Sequence, residues 1–129
     1  MNDTERELLE VNQRLLDSIA EGDWNVYAQL CDAGLTAFEP EARGHLIDGL
    51  EFHHFYFNNG GHMGPHRVEI VEPRVRMLGD SAAVVTYVRI VQRVGAGGAQ
   101  ETLAYEETRV WQRQEGQWRH VHFHRSAAT

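Results

Sequence analysis

The chain has 129 residues, 42% of them hydrophobic and 24% charged, with a formal net charge of −7. These figures suit one soluble globular domain that buries roughly two-thirds of its unfolded surface, and the acidic balance excludes general nucleic-acid binding, which needs a basic footprint. No apolar run approaches the roughly 20 residues of a membrane span, the polar N-terminus lacks signal-peptide character, and the lone Cys31 excludes an internal disulfide, which fits a reducing cytoplasm.

Leu8, Val11, Leu15, Leu16 and Ile19 recur at helical spacing and predict a helix from Thr4 to Glu21. Thr4-x-x-Glu7 reads as its capping box and Gly22 as its stop. Asp23 then caps a second, short helix carrying Trp24, Tyr27, Leu30 and Cys31. That stripe reads as core packing, with Cys31 a small core residue, and no cofactor is expected. Asp32 to Gly34 reads as a loop and Leu35 to Phe38 as a short strand. Glu39-Pro40-Glu41 ends it, because proline removes a ladder donor. Gly44 to Asn58 reads as a third helix, with His53 on the face of Leu46, Ile47, Leu50 and Phe57. Asn58 to Pro65 is a glycine-rich loop.

From Val68 the period changes to two. Val68 to Met77 forms a long strand or a broken pair, with Pro73 at a bulge or an edge. Gly79-Asp80 turns the chain into Ala82 to Arg93, a strand apolar on both faces and therefore central, covered by helices on one side and open to another subunit on the other. Ala83, Val85, Tyr87, Arg89 and Val91 share one of its faces. A hairpin loop at Gly95 to Gly98 leads to a strand from Gln100 to Arg113, and a tight turn at Glu115-Gly116 to the last strand, ending near Ser126. Helices first and strands after them indicate an α+β fold, a curved antiparallel sheet wrapped around three helices.

Strict alternation places Glu107, Arg109, Trp111 and Arg113 on one face of the penultimate strand. On the last, it places Arg119, Val121, Phe123 and Arg125 inward, and Trp118, His120, His122 and His124 outward. An arginine beside Val121 and Phe123 is costly unless it meets something anionic or polar, and such local conflicts tend to mark sites. Arg89, Arg109 and Arg125 all take the inward parity. Two arrangements answer their mutual repulsion. One is a bound anion gripped by guanidinium forks; the other is an internal network in which Glu107 is the counter-ion and no ligand binds.

His53 is either a satisfied core residue or a ligand contact. Alternate histidines on a strand lie ~7 Å apart, too far for three of His120, His122 and His124 to hold one ion at ~2.1 Å, although two could; His62 and His66 in or near the loop add weak support, and no metal is expected. Glu39 and Glu41 are loop or interface charges, or supply a catalytic carboxylate if burial raises a pKa. No nucleophile triad, phosphate-cradling loop or metalloprotease motif is present. Outward Trp118, the histidines and Val110 suggest a protein interface, hence a homodimer at least.

Five blocks lie in order along the chain: CDAGLTAFEPEARG (Cys31 to Gly44), FHHFYFNN (Phe52 to Asn59), MLGDSAAVVTYVRI (Met77 to Ile90), EETRVW (Glu106 to Trp111) and VHFHRS (Val121 to Ser126). In these the sequence resembles the association (hub) domain of calcium/calmodulin-dependent protein kinase II. The resemblance implies a cone-shaped fold of the nuclear-transport-factor-2-like superfamily with one pocket. It implies self-association into dimers or rings of dimers, no catalysis, and a pocket for small carboxylates or anionic peptides at His53, Arg89, Arg109 and Arg125. The stretch holds no kinase domain or calmodulin-binding segment, so neither phosphorylation nor calmodulin binding by the family's usual means is expected. A free-standing domain of this kind is similar to bacterial relatives. The segment Asn58 to His62 lacks the Leu-Trp pair of the kinase hubs, which implies a more open rim.

Two further function classes stand beside this one. The first is a small isomerase, dehydratase or cyclase of the same fold acting on a compact organic acid; its mark is a pocket acid or base with a perturbed pKa. The second is an adaptor for a kinase encoded elsewhere. The expected partners are a second copy of the chain and a small carboxylate or other anion, with no nucleic acid and no membrane.

Overall fold

The computed structural model describes residues 1–60 and 64–128. Helix α1 (Asp3–Glu21) is capped by Asn2, not Thr4. The Asn2 side chain accepts from the Glu5 amide at 2.9 Å, and the Glu5 carboxylate accepts from the Asn2 amide at 3.0 Å. Asparagine is among the strongest caps, and once Asn2 takes that role Thr4 lies inside the first turn. Gly22 ends the helix in the left-handed conformation at φ 69. Asp23 caps α2 (Trp24–Leu30), accepting from the Val26 amide.

Cys31 is not helical. It opens β1 (Cys31–Phe38), which begins four residues before the expected strand. The register of β1 slips between Cys31 and Thr36, and this irregular stretch contains the Ala33-Gly34 pair that reads as loop in the sequence. The third helix is also shorter than expected. Gly44 and Gly49 sit at φ 91 and 89, which no α-helix passes through. Between them Ile47–Asp48 pairs with β1 as the short β2, after a 3-10 turn at Pro40–Ala42. Only Glu51–Asn58 forms α3, which buries His53. The loop expected from Asn58 to Pro65 falls partly on residues 61–63; these, with His62, lie outside the described residues.

The remaining strands are β3 (His66–Met77), β4 (Ala82–Val94), β5 (Gln100–Gln114) and β6 (Gln117–Ala127). The six form one sheet in the order β2-β1-β6-β5-β4-β3. Every neighbouring pair is antiparallel except β1 on β6, which is parallel. Pro73 meets both expectations for it. It lies on an edge strand, at a register break between Val71 and Arg74 where Glu72 takes φ 52.

The inner face of β4 is buried from Ala83 through Val91, and its outer face is half-buried. Leu8 and Leu15 of α1 and Tyr27 of α2 pack with Leu35, Val85 and Trp111 of the sheet into one core. The Trp111 indole donates to Asn12 Oδ1 at 3.0 Å, which ties α1 to β5 and satisfies two buried polar groups at once.

Strict alternation fails on β6. Trp111 pairs with His120 and Val110 with His122, so Val121 is an extra residue in the ladder. Before it Trp118 and His120 face inward, 5% and 0% exposed; after it Phe123 and Arg125 do. The expected outward row of Trp118, His120, His122 and His124 is therefore broken. Only His122 and His124 reach the outer face, where both lie against Phe38.

Candidate functional site

Between the inner face of the sheet and the helices lies a cavity of about 290 Å³. His53, Arg89, Arg109 and Arg125 all line it, as do Glu39 and Glu41. Three strands and α3 thus bring together four of the five expected residues. Glu107 stands behind the wall, its side chain with no exposed surface.

Glu107 organises the floor. Its Oε2 accepts from Arg89 Nε at 2.8 Å, and its Oε1 from Arg109 Nη2 at 3.1 Å and from the Tyr87 hydroxyl at 2.6 Å. Tyr87 in turn accepts from Arg109 Nε at 2.8 Å. Burial alone would raise the Glu107 pKa, but the Arg109 and Arg89 guanidiniums outweigh it and hold the carboxyl down at about 2. Burial and this carboxylate push the Tyr87 hydroxyl up. The internal counter-ion network anticipated from the sequence is therefore present for Arg89 and Arg109.

Arg109 is 1% exposed and lies over the Phe123 ring at 4.4 Å. Its Nη1 faces His120 Nε2 at 3.4 Å. A guanidinium only donates, so Nε2 accepts and the ring proton sits on Nδ1, toward Cys31 Sγ at 3.6 Å. Burial, reinforced by Arg109, pushes the His120 pKa well below its ordinary value, so this ring is neutral. Burial raises the Cys31 thiol to about 12, which makes it inert as a nucleophile. Among the described residues no group of three side chains could hold a metal ion.

Arg125 meets different carboxylates. Its Nη2 donates to Glu39 Oε2 at 3.4 Å and to Glu41 Oε2. Glu39 Oε1 pairs with His53 Nε2 at 2.9 Å. Burial works to raise the Glu39 pKa, yet His53 and Arg125 outweigh it and the net shift is downward. His53 Nδ1 is buried and has no partner among the described residues. Arg125 and Arg89 both lie over Tyr105, at 4.6 and 5.5 Å from its centroid.

The sequence points to the cations and to Glu107, but not to the other two of their three carboxylate partners. Nothing in the alternation pattern points from Arg125 to Glu39 and Glu41. The one available signal was two carboxylates flanking a proline at a strand end. Two of the arginines are only partly engaged: Arg89 is bound through Nε alone and Arg125 through Nη2 alone, and none of the hydrogen bonds among the described residues engages the terminal nitrogens of Arg89. Those nitrogens, with Nε and Nη1 of Arg125, are open donors on cavity-lining residues.

The family model for the calcium/calmodulin dependent protein kinase II association domain matches residues 4–129. The chain is 43% identical over 125 residues to the delta subunit of calcium/calmodulin-dependent protein kinase type II from Oryctolagus cuniculus, covering 95% of this chain and 24% of that protein. It therefore spans about a quarter of the length of that curated relative. The solved association domain of the C. elegans kinase is 41% identical, with a TM-score of 0.89 over 97% of this chain and 99% of that one. The S. rosetta hub is 42% identical, with a TM-score of 0.86 over 99% of both. A nuclear-transport-factor-2-like protein from Salmonella enterica shares the fold at 20% identity, with a TM-score of 0.80 over 96% of this chain and 90% of that one.

Proposed function

The chain belongs to the calcium/calmodulin dependent protein kinase II association domain family, and from that premise we propose that it is a non-catalytic self-associating domain whose cavity binds a small carboxylate. It acts as one domain over residues 1–129, as a homodimer or a ring of dimers. No helix among the described residues is long and apolar enough to cross a membrane. The lone thiol favours a cytoplasmic setting.

The observation that carries the ligand reading is the state of Arg89. Its Nε is locked on Glu107, which fixes the guanidinium plane, while its terminal nitrogens have no hydrogen-bond partner among the described residues. A planar fork held in place with free donors suits a carboxylate. Tyr105 forms an aromatic wall beside it. His53, Arg109 and Arg125 complete the seat, with Glu107 as the internal counter-ion.

An enzyme acting on an organic acid would need a cavity acid or base shifted toward neutrality. Glu39 and Glu107 are shifted the other way. His53 has Nε2 tied to Glu39 and Nδ1 sealed from solvent, which weighs for binding over proton transfer.

A thermal-shift titration with butyrate, at fixed ionic strength, tests the reading. Stabilisation grows as RT ln(1 + [L]/Kd), and Arg89→Ala is expected to abolish it. Equal stabilisation of both proteins, or none of either, would remove the carboxylate from the proposal.

A further inference from the structure

We propose that Glu41 is a specificity-determining residue of this cavity: it occupies Arg125 as a built-in second anion and so limits the site to ligands with a single carboxylate. The inference rests on the carboxylate reading above and adds which carboxylates enter.

Three observations carry it. First, two cations of the cavity lining differ in their engagement. Arg89 shares one carboxylate with Arg109 and keeps both terminal nitrogens free, whereas Arg125 has two carboxylates of its own, Glu39 and Glu41, both on Nη2. Second, the two glutamates are not equivalent. The Glu39 side chain is 7% exposed and also held by His53, whereas the Glu41 side chain is 37% exposed, and Arg125 is its one hydrogen-bond partner among the described residues. Glu41 also sits on the Pro40–Ala42 turn, whose N-cap residue Glu39 makes no side-chain capping bond. Glu41 is thus the carboxylate free to leave. Third, both guanidiniums lie over the one Tyr105 ring, and their distances from its centroid bound their separation at about 10 Å. A short dicarboxylate can span them.

Charge balance then sets the choice. The three arginines are matched by Glu39, Glu41 and Glu107. One ligand carboxylate on Arg89 adds a single negative charge and disturbs no existing pair. A second carboxylate on the same ligand finds Arg125 already neutralised. It must either expel Glu41 into water or lie beside it in a poorly solvated wall, where like charges repel strongly. The site therefore accepts a dianion only when Glu41 is gone or neutral.

The test compares butyrate with glutarate by calorimetric titration at constant ionic strength, on the wild type and on Glu41→Gln. The wild type is expected to bind butyrate at least as well as glutarate. The substitution is expected to tighten glutarate about tenfold, the range of one charge-assisted contact, with butyrate changing less than about threefold. An equal gain for both ligands would reduce Glu41 to a general electrostatic effect and overturn its selective role. No gain for glutarate would overturn the proposal while leaving the carboxylate site intact. If neither protein binds either ligand, the carboxylate reading itself fails and this inference with it. Glu41→Ala repeats the comparison should the glutamine variant misfold, and thermal unfolding without ligand checks both.

Discussion

Glu107 holds Arg89, Arg109 and the Tyr87 hydroxyl on one buried carboxylate. It neutralises Arg89 and Arg109 in a largely buried wall. Removing one partner of a buried ion pair leaves an uncompensated charge, so Glu107→Gln is expected to destabilise by about 3–5 kcal/mol, read as a lowered urea midpoint at unchanged m. A loss under about 1 kcal/mol would mean that Arg109 finds other partners. Acid gives a second reading of the same contact. The unfolded glutamate titrates near 4.3, the folded one at about 2. Between these values the unfolded chain binds more protons, so stability is lost as pH falls from about 5 to about 2. That part of the slope should vanish in Glu107→Gln. The inward cations and His53 were legible in the sequence because a polar residue on an apolar parity stands out. The partners of Arg125 were not, since Glu39 and Glu41 reach it through tertiary folding and carry no local signature.

Among the elements, α1 and the long strands declared themselves through unbroken periodicity, and their ends are right to within a few residues. Failures came where one or two residues change the geometry. Gly44 and Gly49 stop a helix whose side chains alone would have continued it. Val121 shifts a strand whose alternation looks regular. The β5–β6 turn offers a test at this scale. Glu115 and Gly116 take φ 52 and 79, the left-handed pair of a two-residue hairpin, for which Asn-Gly is the favoured sequence. Glu115→Asn is expected to stabilise by about 0.5–1 kcal/mol, measured as a rise of a few degrees in Tm. No change or a fall would mean that the turn is strained for another reason.

For the whole molecule the open question is assembly. The outer face of the sheet presents half-buried Val84, Val88, Ile90 and Val110, with His122 and Phe38 at one side. A surface of that kind suits a partner sheet. Light scattering after size exclusion is expected to give at least twice the protomer mass of 14.7 kDa, and a mass of one protomer at micromolar concentration would overturn self-association. Val121 has a consequence at this scale too. Were Val121 instead drawn into the ladder opposite Val110, with no residue left over, every later position on that strand would trade sides: Arg125 would go out to solvent, while His124 and Ser126 came in. One uncharged residue, by standing outside the count and making it even instead of odd, decides whether a positive group belongs to the interior or to the skin.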